Sequence, residues 1–327
     1  MINYIIRRIF YMIPTLIIIS MISFTVIQLP PGDYLTTKIA QLQAQDELIN
    51  VDLIEALREE YGLDKPIYVQ YGKWVWNILH GDFGYSWEWQ RPVEEVIGER
   101  ILLTAIISFS ATFMIYLVAI PVGIFSATHK YSVGDYLVTF VAFVGLALPN
   151  FLLALLLLFL GYALFDVSLS GLFSAEFANA PWSAAKVGDL LKHLWIPVIV
   201  VGTTSTAGRI RVMRGNLLDE LNKPYVMAAR AKGLSEVKLL LKYPVRTALN
   251  PLISGLSVLL PQMISGATIT AVVLGLPTTG PMLLGALRSQ DVYLAGAFIL
   301  LLSTLTVIST LLSDILLAWS DPRIQYE

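Results

Sequence analysis

The sequence predicts an all-α protein that crosses a membrane six times, with a helical insert outside the membrane between the first and second spans. Three observations predict this fold. Hydrophobic residues make up 56% of the 327 residues and charged residues only 14%, which is unusual for a soluble domain. Six apolar stretches are long enough to cross the hydrocarbon as helices, each of which needs about 20 residues. All but two of the charged residues, Arg209 and Asp314, lie outside these stretches, and the sign of the charge differs from loop to loop.

We interpret each apolar stretch as one span. The stretches cover approximately residues 9–29, 101–127, 137–165, 194–210, 252–276 and 293–319. The first is longer than the apolar core of a signal peptide, and no small-residue cleavage site follows it, so we expect it to be retained. The fourth is the shortest and extends further if Arg209 snorkels or faces protein. Pro121, Pro149, Pro197 and Pro261 predict kinks in or near spans.

The distribution of Lys and Arg predicts the orientation, because cytoplasmic loops carry an excess of basic residues. Arg7 and Arg8 precede the first span, and residues 209–250, from the end of span four to the start of span five, hold nine basic and three acidic residues. By contrast, residues 30–100 hold thirteen acidic and six basic residues. Both termini and the basic loop are therefore expected inside, and residues 30–100 outside.

The external segment 30–100 is too long for a simple connection between spans. Its middle, LINVDLIEALREEYGL, has apolar residues at helical spacing, which predicts a small helical insert. Four tryptophans follow, namely Trp74, Trp76, Trp87 and Trp89. They suit either a membrane interface or the core of the insert, and the sequence leaves both open. The second external loop, 166–193, lacks strong periodicity and is expected to be irregular, with or without a short interfacial helix.

The composition argues against several classes of function. Cysteine is absent, and the three histidines are about fifty residues or more apart, so no metal site is expected. The net charge of −2 argues against binding of nucleic acid. The phosphate-binding loop G-x-x-x-x-G-K-[ST] does not occur, so this chain is expected neither to bind ATP in that way nor to be an enzyme.

The basic loop, residues 210–250, contains the stretch YVMAARAKGLSEVKLLLKY. Asn222 is a candidate N-cap, Pro224 suits the first helical turn, and Gly233 suits a C-terminal stop with positive φ. These signals predict a two-turn helix. Such a helix is marginal alone and needs tertiary contacts. Ser235 is expected to cap the helix that follows.

Small side chains on the two-turn helix suggest that it docks on another protein. The candidates are three alanines, two anchors and two basic residues: Ala228, Ala229, Ala231, Tyr225, Leu234, Arg230 and Lys232. The alanines would allow close approach to the backbone, the anchors would enter a groove, and the basic residues would meet an acidic rim. An amphipathic helix on anionic headgroups explains the same composition, and the residues leave both interpretations open.

The sequence resembles the permease subunits of dipeptide/oligopeptide-type ABC importers. The run from Met227 to Gly233, MAARAKG, is similar to the EAA-x-x-x-G signature, with Met227 where Glu is usual. Three further segments resemble the family in the same order, namely IIRRIFYMIPTLIIISMISFTVIQLPPGD, YGLDKPIYVQYGKWVWNILHGDFGYS and SDPRIQY. The resemblance therefore extends over essentially the whole chain.

The resemblance implies a type I importer permease in a prokaryotic inner membrane. It would comprise a first span (1–29), an external insert (30–100) and a transmembrane domain (101–327) with a coupling helix that docks on an ATPase. The implied coupling residues are Tyr225, Met227, Ala228, Ala229, Arg230, Ala231, Lys232, Gly233 and Leu234. Expected partners are a second permease, two ATP-binding subunits that hold ATP and Mg, an external solute-binding protein and membrane lipid. This chain itself would bind no cofactor.

Polar side chains in span five are candidates for lining a translocation path. They are Ser254, Ser257, Gln262, Ser265, Thr268 and Thr270. Groups of this kind also bond across helix interfaces in membrane bundles, so both interpretations stay open.

Peptides are the substrate class that the resemblance implies. The turn LPTTGP at 276–281 is similar to relatives in sugar-oligomer uptake, so oligosaccharides are an alternative, with nickel chelates as a further variation. A secondary carrier is disfavoured because Asp314, near the end of span six, is the only acidic residue within the six stretches. A receptor or assembly protein that does not transport is the other competing class.

Overall fold

A computed structural model of the chain describes residues 2–28, 65–86, 88–166, 169–178, 180–265, 268–289 and 291–320. The helices in these ranges are α1 (Ile2–Gln28), α2 (Ile67–Leu79), α3 (Val93–Thr128), α4 (Val133–Ala147), α5 (Asn150–Phe165), α6 (Ala184–Leu221), α7 (Pro224–Ala231), α8 (Glu236–Lys242), α9 (Pro244–Ala248), α10 (Asn250–Ser254), α11 (Leu256–Ser265), α12 (Thr268–Val273), α13 (Thr279–Arg288) and α14 (Val292–Ser320). Strands β1 (Tyr85–Ser86) and β2 (Arg91–Pro92) form a small antiparallel ribbon. The described residues are thus mostly helical, with very little sheet, which confirms the predicted all-α class.

Two helices of the described ranges, Val93–Thr128 and Tyr293–Leu317, are long and apolar enough to cross a membrane. The pair Val133–Ala147 and Asn150–Leu164 meets the same test together, as one broken span or a re-entrant loop. Helix α1 contains a shorter apolar stretch, Phe10–Ile22. The described helices therefore include two or three candidate spans, and the six spans and their orientation stay predictions.

The predicted third span, 137–165, is not a straight helix. Helices α4 and α5 meet there at an angle of 99°. Pro149 is the cause, because its ring disfavours helical geometry in the residue before it, and Leu148 is extended at φ −81° and ψ 117°. The kink expected at Pro149 is confirmed, whereas the other three prolines predicted to bend spans lie inside α3, α6 and α11.

The predicted fourth span is part of a much longer helix. Helix α6 runs for 38 residues from Ala184, so the loop expected to be irregular over 166–193 ends in regular helix. Along the first half of α6, Val187, Leu191 and Trp195 recur every four residues and are exposed. This apolar stripe is typical of a helix that faces lipid or another protein.

The predicted fifth span, 252–276, is divided into α10, α11 and α12. Gly255 separates α10 from α11, and residues 266–267 lie outside the described residues. Pro251 occupies the first turn of α10, where its missing N–H is tolerated. The described part of the fifth stretch is therefore helical, with a break at Gly255.

The chain divides into two compact units, which we describe separately. The first comprises Met1–Arg8, Thr104–Pro277 and Thr306–Glu327, and the second Ile9–Leu103 and Thr278–Leu305. The second unit has a core in which Val96 and Ile97 of α3 pack with Ala286 of α13 and Phe298 of α14. In the same unit, the buried Asp291 accepts a hydrogen bond from the Ser86 hydroxyl (2.7 Å), which attaches the ribbon to the start of α14.

Most of the predicted external insert, including LINVDLIEALREEYGL and Trp87, lies outside the described residues. Its described part contains α2 and the ribbon. Trp74 is buried, with its ring 5.4 Å from that of Phe24 in α1. Trp76 and Trp89 are 64% and 39% exposed. The buried Trp74 packs on α1, and a membrane-interface position for the exposed tryptophans stays a prediction.

Candidate docking site in the basic loop

The basic loop forms two short helices, α7 and α8, joined by a tight turn. Pro224 is the first residue of α7, and Gly233 in the turn has φ +79°, as the sequence predicts. Asn222 does not cap α7, so that prediction is wrong. It ends α6 instead, where its amide donates to the Leu218 carbonyl (3.1 Å), and Lys223 takes the N-cap position. Ser235 occupies the N-cap position of α8 without a side-chain hydrogen bond.

The inner face of α7 packs on α8 through a small core of its own. Val226, Ala229 and Leu239 are buried, with Leu234 and Tyr243 packed beside them. This contact stabilises a helix too short to persist alone. Ala229 and Leu234, which the sequence suggested as contacts for a partner, therefore face the loop itself. The alanine at 229 matters because its small side chain lets α7 approach α8.

The outer face of α7 carries small or flexible side chains. At 100° per residue, Met227, Ala228 and Ala231 lie opposite the buried Val226 and Ala229, and all three are exposed. Met adapts to irregular surfaces, and alanine leaves the helix backbone accessible. Because these side chains are small or flexible, another protein can pack closely on this face.

Polar contacts fix the two ends of α7. The Tyr225 hydroxyl donates to the Glu220 carboxylate and so joins α7 to the end of α6. Across the turn, the Arg230 guanidinium binds Glu236 through two hydrogen bonds of 2.6 and 3.0 Å. These bonds and the positive charge of Arg230 hold the pKa of Glu236 below its usual value. Arg230 is thus engaged within the loop, and Lys232 is exposed.

Helix α6 connects the loop to the other helices of the first unit. Met213 and Leu217 of α6 are buried with Val245 of α9 and Leu252 of α10. Gly123 of α3 lies so close to α6 that a β-carbon there would come within 2.6 Å of the Met213 Cβ. The part of α6 that leads to α7 is therefore packed firmly on both sides.

A buried ion pair also joins α6 to the start of α4. Arg214 donates to both carboxylate oxygens of Asp135 at 2.8 Å, and the Ser126 hydroxyl and the Tyr131 N–H donate to the same carboxylate. Asp135 is 2% exposed, so these four donors replace its hydration. Sequence reasoning missed this pair. An acidic residue in the first turn of an apolar helix was a visible signal, but its partner lies 79 positions away.

Three side chains donate to backbone carbonyls where α10 meets α11. The bonds run from Tyr116 Oη to Leu252 O (2.6 Å), from Ser313 Oγ to Ile253 O (2.9 Å) and from Arg209 Nη2 to Gly255 O (3.4 Å). The donors belong to α3, α14 and α6. Gly255 makes room for the guanidinium, since a β-carbon there would lie 3.1 Å from Nη2. Side chains of neighbouring helices thus provide hydrogen bonds to the backbone carbonyls at the break between α10 and α11. A membrane interior requires such bonds because it offers no water.

The structure places the predicted pathway residues in different environments. Ser254 and Gln262 are exposed, and Thr270 is buried. Ser257 and Thr268 are half-buried, and the Ser257 hydroxyl donates to the carbonyl of Ser254 (2.8 Å). The side chain of Ser265 lies outside the described residues. A role for these residues in a translocation path stays a prediction.

Comparison with known proteins decides the family. Residues 119–326 match the binding-protein-dependent transport system inner membrane component, and residues 1–110 match the N-terminal model of the same system. This chain belongs to that family. It is a multi-pass inner-membrane protein, and the resemblance seen in the sequence is confirmed.

Named relatives match along nearly their whole length. The chain is 35% identical to the oligopeptide transport system permease protein AppB of Bacillus subtilis over 99% of both chains. It is 28% identical to the dipeptide transport system permease protein DppB of Escherichia coli K12 and 29% identical to the glutathione transport system permease protein GsiC of Salmonella paratyphi A, over 100% of each chain.

Proposed function

We propose that this chain is a permease subunit of an ATP-driven peptide importer and forms half of its translocation pathway. Relatives named for oligopeptide, dipeptide and glutathione transport support peptides as the substrate class over oligosaccharides or nickel chelates. The phosphate-binding loop is missing from the sequence, so the ATP that supplies the energy, with its Mg, would be bound by separate subunits. The chain itself would bind no cofactor.

The length of α6 supports the predicted orientation. Its 38 residues extend about 57 Å at about 1.5 Å per residue, whereas the hydrocarbon is about 30 Å thick. At least one end therefore projects from the membrane. The apolar stripe lies in the first half of α6, and Arg211 and Arg214 lie in the second half. We infer that the projecting end is cytoplasmic, with six spans and both termini inside.

The observation that carries the proposal is the exposed outer face of α7. Met227, Ala228 and Ala231 form this face on a helix whose other side is held by its own core. We assign it as the contact for one of two cytoplasmic ATPases. A second permease would complete the pathway, and an external solute-binding protein would deliver the peptide.

The packing of α6 suggests how movement of the ATPase would reach the membrane. Because α7 and α8 share a core, a displacement of α7 would move them as one body. Helix α6 would transmit this displacement through its buried contacts with α9 and α10, and Arg214 would pass it to Asp135 at the start of α4. Rigid-body motion of these helices would then switch access from one side of the membrane to the other.

Substitutions on the outer face of α7 test the proposal. We expect Ala228→Glu and Ala231→Glu to lower both co-purification of the ATPases and ATP-dependent peptide uptake into vesicles by at least about tenfold, because each places a charged side chain in a close contact. Val237→Glu is the matched control. Val237 is 69% exposed on α8 and lies outside the proposed contact, so this variant should behave like the wild type.

Wild-type levels of assembly and uptake in both alanine variants would rule out this face as the ATPase contact. Uptake that needs an ion gradient, or that proceeds without ATP, would indicate a secondary carrier. Assembly with partners but no accumulation of any peptide in vesicles would support the receptor or assembly class instead.

A further inference from the structure

Helix α2 packs on α1 through one side only. The buried Trp74 lies against Phe24, and the Tyr71 hydroxyl hydrogen-bonds the Ser20 hydroxyl (2.7 Å). The rings of Phe24 and Tyr71 also meet edge to face, with centroids 5.6 Å apart. These contacts attach α2 beside the C-terminal part of α1, where its apolar stretch Phe10–Ile22 ends.

The opposite side of α2 is apolar although it is exposed. Tyr68, Trp76 and Leu79 are 73%, 64% and 75% exposed, and Val69 lies among them. At 100° per residue these four side chains occupy one arc that points away from Trp74. A helix with one side on protein and the other in water normally shows polar residues on its outer side. Exposure of this apolar face to water is therefore unfavourable.

Lipid is the occupant that the neighbouring surface favours. Ile17, Met21 and Ile22 of α1 are all at least half exposed, and they lie beside the residues that hold α2. The apolar surface of α1 is thus continuous along the chain with the site where α2 attaches. The composition of the α2 face also suits the headgroup region of a bilayer. Trp and Tyr favour this region because the apolar ring can contact lipid while the polar atom contacts water.

We propose that α2 is a membrane-surface helix that lies in the headgroup region of the bilayer at the C-terminal end of α1. Tyr68, Trp76 and Leu79 contact lipid, and Trp74 fastens the helix to α1. Lys73 lies at the edge of the apolar arc. The helix therefore holds the beginning of the ribbon segment at a defined depth. This proposal needs only the membrane location of the chain and not the transport function.

The absence of cysteine makes a direct test practicable, since single-cysteine variants carry no background. Trp76→Cys and Leu79→Cys would be spin-labelled in the full chain, assembled with its partner subunits in nanodiscs of phosphatidylethanolamine and phosphatidylglycerol. The measurement is the collision rate of each label with oxygen, which partitions into lipid, and with a water-soluble nickel chelate. Ile17→Cys provides the lipid reference, and Glu94→Cys, an exposed acidic position, provides the water reference.

We expect both α2 labels to show an oxygen-to-nickel collision ratio severalfold above that of the Glu94 label and approaching that of the Ile17 label. A ratio equal to the Glu94 value would place α2 in water and overturn the proposal. Low collision rates with both reagents would also overturn it, because they would show that protein covers this face. A size-exclusion elution profile like that of the wild type establishes that the fold of each variant is intact. If the change at Trp76 disturbs the packing, the label at position 79 still reports the environment of this face.

Discussion

Arg214 of α6 donates two hydrogen bonds of 2.8 Å to the carboxylate of Asp135 in α4. This ion pair joins α6, which leads to the basic loop, to the start of α4. The planar guanidinium matches the two oxygens of the carboxylate, which lysine cannot do. Both residues lie in the first unit, where α4 packs along α6. The pair therefore holds α6 against α4 in the part of α6 through which we propose that a displacement of α7 is transmitted.

Removal of one partner of this pair should destabilise the protein. We expect Asp135→Ala to cost about 2 kcal/mol, less than the roughly 3–5 kcal/mol of a fully buried pair, because the Arg214 side chain is 26% exposed. Arg214→Lys should cost less, since it keeps the charge and loses the two-point geometry. Thermal unfolding in detergent measures the change.

The double variant Asp135→Ala with Arg214→Ala provides the control for that prediction. It should lose less than the sum of the two single variants, because neither charge is left unpaired. Strict additivity would show that the two side chains stabilise the protein separately and would refute the assignment.

Gly233 should be sensitive to any side chain. Its φ of +79° lies in the left-handed region, where alanine is disfavoured by about 1 kcal/mol. We therefore expect Gly233→Ala to loosen the turn between α7 and α8 and to lower ATPase co-purification. Gly215→Ala is the matched control, because neither glycine has an atom within 4 Å of the added β-carbon and only Gly233 has a positive φ. Equal behaviour of the two variants would contradict a role for the turn conformation.

Tyr116 should support the interrupted fifth stretch through its hydrogen bond to Leu252 O. We expect Tyr116→Phe to lower stability by about 1 kcal/mol, since it removes the hydroxyl and leaves the ring in place. Tyr136→Phe, at a 62% exposed tyrosine of α4, should change stability much less. Thermal unfolding of both variants in the same detergent makes the comparison, and an equal effect would show that the hydroxyl of Tyr116 is dispensable.

Local signals in the sequence predicted the local features well. Apolar length predicted helices, and Pro224 and Gly233 marked the two ends of α7, because a residue with restricted or permissive φ acts on its own backbone. Pro149 predicted a kink for the same reason. Asn222 was assigned to the wrong helix because one asparagine can end a helix as well as begin the next.

Which side chains of α7 are buried and which are exposed could not be predicted from the sequence without the tertiary structure. Composition marked all three alanines as contacts for a partner, yet Ala229 and Leu234 pack against α8. The sequence shows which residues are small, and only the position of α8 decides which of them are covered. The same holds for the tryptophans, where Trp74 is buried by Phe24 and Trp76 is exposed on the same helix.

By itself the sequence determined the helical class, the membrane location and the family, because hydropathy, charge bias and the MAARAKG motif are properties of consecutive residues. The tertiary structure alone decided that Arg214 binds Asp135, that three helices donate to the carbonyls around Gly255, and that α2 turns an apolar face away from α1. These contacts join residues far apart in the chain. Their formation depends on packing geometry, which no short stretch of sequence encodes.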